Sequence, residues 1–470
     1  KTWDGPKIMN RDVVIKSGVT LTITCEVRMG VNKKITVEKG GKLIVDGGLL
    51  TQHCDDYWQG IEAIGDPTKT QTAANQATVE LKNNAIIEYA NNAITTGTNG
   101  VGNQGGGIIY ADNTTFRNNR RAVEFMQYTL SDNLSYFDGC TFELDTDYPQ
   151  SNYIGLVTAW DVRGEEFTNC TFSNTSSVSN KQYAIYTIAA GYDVSNGCTF
   201  DGFTGGIYST AAGSINTITV DDATFSNNAL GVYVGSMDNV LISRCNINVG
   251  QYRTSTYNHG IYLDNSTGYQ VEENIFSGFS QTLSPFPTGV ICYNTGDLYN
   301  RIYNNDFDGL DVANRSYGDN VDRTNPVIYG LEYLCNTNTN NTSFDFSVVK
   351  DPMIGSTESG IKEHQGYSNY SAGNTFSLNS SPVGSDFSNK SSLKVRYYYG
   401  TGTAEYPVNV FSVTRNAASA NHACSSTLSM SSMTQMQVTV FEEEYNQNRA
   451  DYDRNLSIYN DKIDDGNTEE

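Results

Sequence analysis

Along most of the chain, apolar residues come in short runs that alternate with polar ones and are bounded by Gly, Asn and Asp. Such runs are too short for helices, and their β-branched and aromatic content predicts brief strands. From Tyr183 to Phe307 they recur as one phrase: Gly or Ala, two or three apolar or aromatic residues, a polar gap, and a closing Thr/Asn-Phe. It reads Ala184-Ile185-Tyr186 … Cys198-Thr199-Phe200, then Gly206-Ile207-Tyr208 … Ala223-Thr224-Phe225, then Gly231-Val232-Tyr233 … Cys245-Asn246-Ile247. Gly260-Ile261-Tyr262 … Asn274-Ile275-Phe276 and Gly289-Val290-Ile291 … Asn305-Asp306-Phe307 follow. The closing positions 200, 225, 247, 276 and 307 are 25, 22, 29 and 31 residues apart. A period of that size marks a solenoid, in which each repeat buries its face only against its neighbours. The predicted fold is all-β, a right-handed parallel β-helix of about fourteen coils over 7–376, near 65 Å long by strand stacking.

Stacked coils place equivalent positions above one another at about 4.8 Å. Phe116, Phe142, Phe172, Phe200, Phe225, Phe276 and Phe307, with Ile247 on one rung, therefore predict an inward aromatic stack. Cys140, Cys170, Cys198 and Cys245, each two residues earlier, predict a second one, of small apolar residues. Tyr186, Tyr208, Tyr233 and Tyr262 each follow an inward Ile or Val, so alternation turns them outward onto one sheet.

Coils of plainer sequence open the chain, with Val13-Val14-Ile15, Leu21-Thr22-Ile23, Ile35-Thr36-Val37 and Leu43-Ile44-Val45 between Gly-rich corners. Polar segments at 97–107 and 311–326 predict loops, where binding surfaces are commonly built. Leu393 to Tyr399, a Gly400-Thr401-Gly402 turn and Val408 to Val413 predict a β-hairpin that caps the open end. Phe441, Tyr445, Tyr452, Leu456, Tyr459 and Ile463, spaced 4, 7, 4, 3 and 4, predict one face of a terminal α-helix. The expected division is a β-helix at 1–380, a β cap at 381–424 and a helical segment at 425–470.

The formal charge of −22, from 52 acidic and 30 basic residues, argues against a nucleic-acid partner. No apolar run is long enough to cross a membrane as a helix. Only 17% of residues are charged while Tyr (31) and Gly (43) abound, a balance typical of secreted β-proteins. Nine cysteines cannot all pair. With four assigned to the inward stack, Cys335 with Cys424, and Cys25 with Cys54, are the expected disulfides, which an oxidising exterior permits. Cys292 is left over and is read as a further inward residue.

The stretch Ile35-Thr36-Val37-Glu38-Lys39-Gly40-Gly41-Lys42-Leu43, the later Trp58-Gln59-Gly60-Ile61, the Asn-x-Phe rungs and the tail Asp464-Asp465-Gly466-Asn467-Thr468 carry a resemblance. The chain resembles β-helix proteins of the pectate-lyase-like superfamily secreted by Bacteroidota. That resemblance implies export through the type IX secretion system, residence at the outer cell surface or in the medium, and a targeting domain beyond Glu470. The expected function is a surface adhesin or structural stalk, with a glycan or surface ligand met by Tyr186, Tyr208, Tyr233 and Tyr262 and by the loops at 97–107 and 311–326. The Tyr column serves equally as cross-strand packing.

The alternative is a polysaccharide lyase or glycoside hydrolase on the same scaffold. Its candidate residues are Asp221, Asp222, His259 in Asn258-His259-Gly260, and Arg301 in Arg301-Ile302-Tyr303. They follow the carboxylates, Gly-His-Gly and Arg-Ile-Lys of polygalacturonate hydrolases incompletely: the first Gly and the final Lys are missing. Asp222 also aligns with Arg244 and Glu273 on later coils, the drift of a solvated edge. Four histidines without metal-ligand spacing point to no metal site and no cofactor.

Overall fold

The computed structural model describes residues 1–54, 56–98, 104–149, 153–279, 284–296, 298–350, 359–377 and 384–428. The chain divides into Lys1–His422 and Ala423–Glu470. The terminal helix expected at 441–463 lies outside the described residues.

Within 1–422 three long sheets run side by side. The first has 13 strands, from Thr2–Trp3 to Gly330–Leu334, and the second also 13, from Lys7–Met9 to Thr337–Thr339. The third has 15, from Val13–Ile15 to Val410–Phe411. From Thr2–Trp3 to Val312–Tyr317, successive strands go to successive sheets and every third returns to the same one, in parallel. Each turn of the chain thus lays one strand on each face, a right-handed parallel β-helix.

Local chemistry sets the corner between the first and second sheets. There the chain turns through positive φ on coil after coil: Asn83 at 56° with Asn84 at 61°, Asn113 at 46°, Asn169 at 52° and Asn304 at 54°. Asn tolerates this left-handed region better than most side chains. Asp222, Arg244 and Glu273 hold the same corner at 52°, 52° and 58°, so the stacked coils impose the turn whatever residue occupies it.

Just after the corner, the chain points inward. Cys140, Cys170, Cys198 and Cys245 are buried there as free thiols. On later coils the column continues as asparagines. Asn274, Asn305, Asn336 and Asn374 each accept the backbone N–H of the residue one coil below, at 2.9, 2.9, 3.1 and 2.8 Å. Each also donates Nδ2 to a carbonyl: Ile242, Val271, Ile302 and Tyr333, at 2.8–2.9 Å. Where thiols fill the column by size, amides fill it by satisfying every buried backbone group in reach.

Three residues beyond the corner the Phe stack is present as expected. Phe116–Phe142, Phe142–Phe172, Phe172–Phe200, Phe200–Phe225 and Phe276–Phe307 have centroids 4.9, 4.6, 4.7, 4.8 and 4.6 Å apart, with planes within 9°. Ile247 occupies the rung between Phe225 and Phe276. A second inward pair, Phe137–Phe167 at 5.0 Å, leans against this column.

Three expectations are corrected. Inside the 311–326 loop, Val312–Tyr317 is a full strand of the third sheet. Its inward positions are Asn314 and Ser316, both buried, so the polar sequence hides a buried strand. The hairpin cap is replaced by further parallel strands: Val395–Tyr399 pairs with Val413–Ala417, and Ser385–Asn389 with Val410–Phe411, in each case in parallel. Between them the chain crosses to another sheet and returns in the same direction, so 400–409 is a coil corner. Finally, Cys25 and Cys54 are free. The pairing of Glu26 with Leu49 and of Met29 with Gln52 sets them at opposite ends of their strands. At about 3.3 Å per residue that separation far exceeds the reach of a disulfide. Cys335 and Cys424 are disulfide-bonded, and Cys292 is buried and free.

Candidate functional site

The third sheet turns its tyrosines outward. Parallel register sets Tyr186 over Thr158, then Tyr208, Tyr233 and Tyr262, followed by Ile291 and Arg315. Centroids of Tyr186–Tyr208, Tyr208–Tyr233 and Tyr233–Tyr262 are 5.4, 4.3 and 5.5 Å apart, at 10°, 4° and 30°. All four rings are half-buried. Because the rings lie on one another, their faces are taken up within the column. What they present outward is a row of edges and hydroxyls.

Neighbouring aromatics widen the row. Tyr183 lies 4.8 Å from Tyr208, and Trp160 lies edge-on to Tyr186 at 6.0 Å. Two consecutive buried residues, Ala184 and Ile185, separate Tyr183 from Tyr186. That kink turns both rings outward, although strict alternation would oppose them. Tyr233 donates its hydroxyl to Asp264 at 2.6 Å. Burial first, and that carboxylate next, hold the Tyr233 phenol well above its ordinary range.

The two ends of the column differ. At one, Glu124 is fully engaged: it accepts from Trp160 Nε1 at 3.2 Å and from Asn92 Nδ2 at 2.9 Å, and pairs with Arg121. At the other, His259 sits 6.1 Å from the Tyr262 ring and 6.4 Å from that of Tyr257. Desolvation, then the charge of Arg315, lowers the His259 pKa to about 4, so the imidazole is neutral near pH 7. His259 Nδ1 and Arg315 Nε are buried without hydrogen-bond partners. Arg315 donates from Nη1 to Tyr317 Oη at 3.2 Å.

The candidate catalytic residues are not brought together. Asp221 lies on the first sheet, bonded to Arg244 Nε at 2.7 Å and Ser243 Oγ at 2.7 Å. Asp222 is the adjoining corner residue. Arg301 is also on the first sheet, three coils further on, while His259 is on the third. Acid–base chemistry needs such groups within hydrogen-bond reach of one reacting centre. Asp264, Trp160 and Tyr183 were not singled out in the sequence because their roles depend on neighbouring coils. Arg315 was hidden in what the sequence presents as a loop.

Fold and face together define a parallel β-helix with an aromatic outer face. Residues 143–326 match the family model described as NosD, periplasmic copper-binding protein. Within that stretch no three His, Cys, Asp or Glu donors converge among the described residues, and the thiol column hydrogen-bonds backbone carbonyls. These residues do not fit a copper centre. No curated protein matches the chain. Among solved structures, the periplasmic alginate epimerase AlgG is similar at 12% identity, over 87% of this chain and 77% of that one, with a TM-score of 0.32. A mannuronic acid specific polysaccharide family 6 lyase from human gut microbiota is similar at 11% identity, over 92% and 89%, with a TM-score of 0.32.

Proposed function

We propose that this chain is an extracytoplasmic β-helix rod, exported as type IX cargo and held at the cell surface as an adhesin or stalk, whose third sheet binds a glycan. The observation that carries the binding role is the half-buried row of Tyr186, Tyr208, Tyr233 and Tyr262. A row of phenol edges and hydroxyls offers both apolar contact and hydrogen bonds, the mixture that recognises a hydroxyl-rich chain. A glycan laid along the rod meets an equivalent group on every rung.

One further fact supports the compartment. The bonded state of Cys335 and Cys424 suits an oxidising environment. Among the described residues no helix is long and apolar enough to cross a membrane.

Affinity electrophoresis through gels containing soluble polysaccharides tests the binding role. Retardation by at least one glycan is expected, and it should fall away in Tyr208→Ala with the fold retained. Absence of retardation across neutral and acidic glycans, or an unaltered Tyr208→Ala variant, would overturn it. Surface proteolysis of intact producing cells tests the location, and a protected, cytosolic protein would refute it.

A further inference from the structure

A different cluster stands on the outer face of the first sheet. Arg301 lies in register between Gln270 and Glu332 on adjacent strands. Glu332 is 3% exposed and binds the ammonium of Lys362, itself 1% exposed, at 2.9 Å through Oε2. Lys362 also donates to Tyr367 Oη at 2.9 Å, which fixes that ring. Two residues before Arg301, and so on the same face, Tyr299 is 50% exposed and meets Tyr329 edge-on at 5.1 Å.

Open hydrogen-bonding capacity sits at the centre of this patch. Glu332 Oε1 and Arg301 Nε are both buried, and neither has a partner. An acceptor and a charge-bearing donor held out of water on adjacent rungs are each costly while unmet. Arg301 and Lys362 stand here among two carboxylates, Glu332 paired with Lys362 and Glu272 held by the Gln270 amide, so the patch is balanced on a chain whose net charge is −22. The patch therefore admits an anion where the rest of the surface repels one. The exposed Tyr299 ring and the half-buried Tyr329 ring supply an apolar platform beside it.

We propose that this patch is a second ligand site, taking a sugar ring that carries one negative charge. Its anion pairs with the Arg301 guanidinium, the shape best suited to carboxylate or phosphate. Its ring face lies on Tyr299 and Tyr329, and a hydroxyl reaches Glu332 Oε1 directly or through one water. Lys362 acts beneath the surface as a positioning residue, holding Glu332 and the Tyr367 ring in place. The site does not depend on the tyrosine row of the third sheet.

Isothermal titration of the purified chain with glucuronate, glucose 6-phosphate and glucose tests this. At least one acidic sugar should bind about tenfold or more tighter than glucose, and which of the two does so identifies carboxylate or phosphate as the preferred anion. Arg301→Met should remove that preference, Tyr299→Ala should weaken both acidic and neutral sugars, and Tyr208→Ala should leave the preference for the acidic sugar unchanged. Circular dichroism confirms that each variant is folded. Tyr299 is half exposed, so its truncation keeps the test available if Arg301→Met does not fold. Acidic sugars that bind no better than glucose, or a folded Arg301→Met or Tyr299→Ala variant with unchanged binding, would overturn the proposal. Loss of glycan binding in Tyr208→Ala with acidic-sugar binding intact separates this site from the third-sheet row.

Discussion

The rings of Tyr208 and Tyr233 lie 4.3 Å apart and 4° from parallel, one strand above the other, on the outside of the rod. Stacking this close makes each ring part of its neighbour's support. Their contribution to the sheet and to any ligand must therefore be separated by experiment. Tyr208→Ala removes three ring pairs, with Tyr183, Tyr186 and Tyr233, and should cost about 1.5–4.5 kcal/mol in urea unfolding. Tyr208→Phe keeps the stack and removes only the hydroxyl. If glycan retention falls in Tyr208→Phe while stability holds, the hydroxyl row is the recognition element; retention that follows stability alone would assign the column to packing.

The inward aromatic column makes a sharper prediction about stability. Phe225 is fully buried, 4.8 Å from Phe200, with Ile247 on its other side. Phe225→Ala should lower the unfolding free energy by about 3–5 kcal/mol. Phe225→Leu keeps most of the volume and should cost under about 1.5 kcal/mol. Equal losses in the two variants would show that ring stacking, not volume, matters on this rung.

Glu165 gives the rod a pH dependence of definite sign. A bulge at 163–165 directs it among Phe167, Tyr192, Val157 and Ile185, where both carboxyl oxygens lack partners. Burial raises its pKa from 4.5 to about 8. The folded chain thus holds this proton more tightly than the unfolded one. Stability from this group is fully present below about pH 4.5 and is lost as pH rises towards 8, by an amount of the order of 5 kcal/mol. Glu165→Gln should flatten the fall in melting temperature between those limits. A wild-type profile that is flat, or unchanged by the substitution, would place the carboxyl in contact with water.

The asparagine column should fail at more than one rung at once. Asn305 accepts from Asn274 and donates to the carbonyls of Val271 and Tyr303 and to Asn336 Oδ1. Asn305→Leu leaves those buried groups unmet at about 1–3 kcal/mol each. Hydrogen exchange should quicken at Asn274 and Asn305 together, whereas acceleration confined to position 305 would argue against a coupled ladder.

Thiol titration in denaturant without reductant should report seven free thiols of nine, since Cys335 and Cys424 are bonded and the rest are free. Five would restore the Cys25–Cys54 bridge, and nine would remove the disulfide altogether.

Much of this architecture was legible in the order of residues alone. A solenoid core is a column, so a repeat of Thr/Asn-Phe at a nearly constant interval states which side chains will stack, and Phe116 to Phe307 do so. The outward turn of Tyr186, Tyr208, Tyr233 and Tyr262 followed from strand alternation, which is a property of the backbone. What could not be read locally depended on neighbours. Cys25 and Cys54 looked like partners until inter-strand register set them at opposite ends of their strands. Val312–Tyr317 read as a loop because its inward Asn314 and Ser316 are polar, and only the coils above and below dry them. Val395–Tyr399 and Val413–Ala417 carry an antiparallel hairpin's pattern and a parallel pair's geometry, since strand direction is decided by where the connecting chain re-enters the stack. The open donor of Arg301 and open acceptor of Glu332 belong to adjacent strands 31 residues apart in sequence, and only the winding of the coil brings them onto one surface.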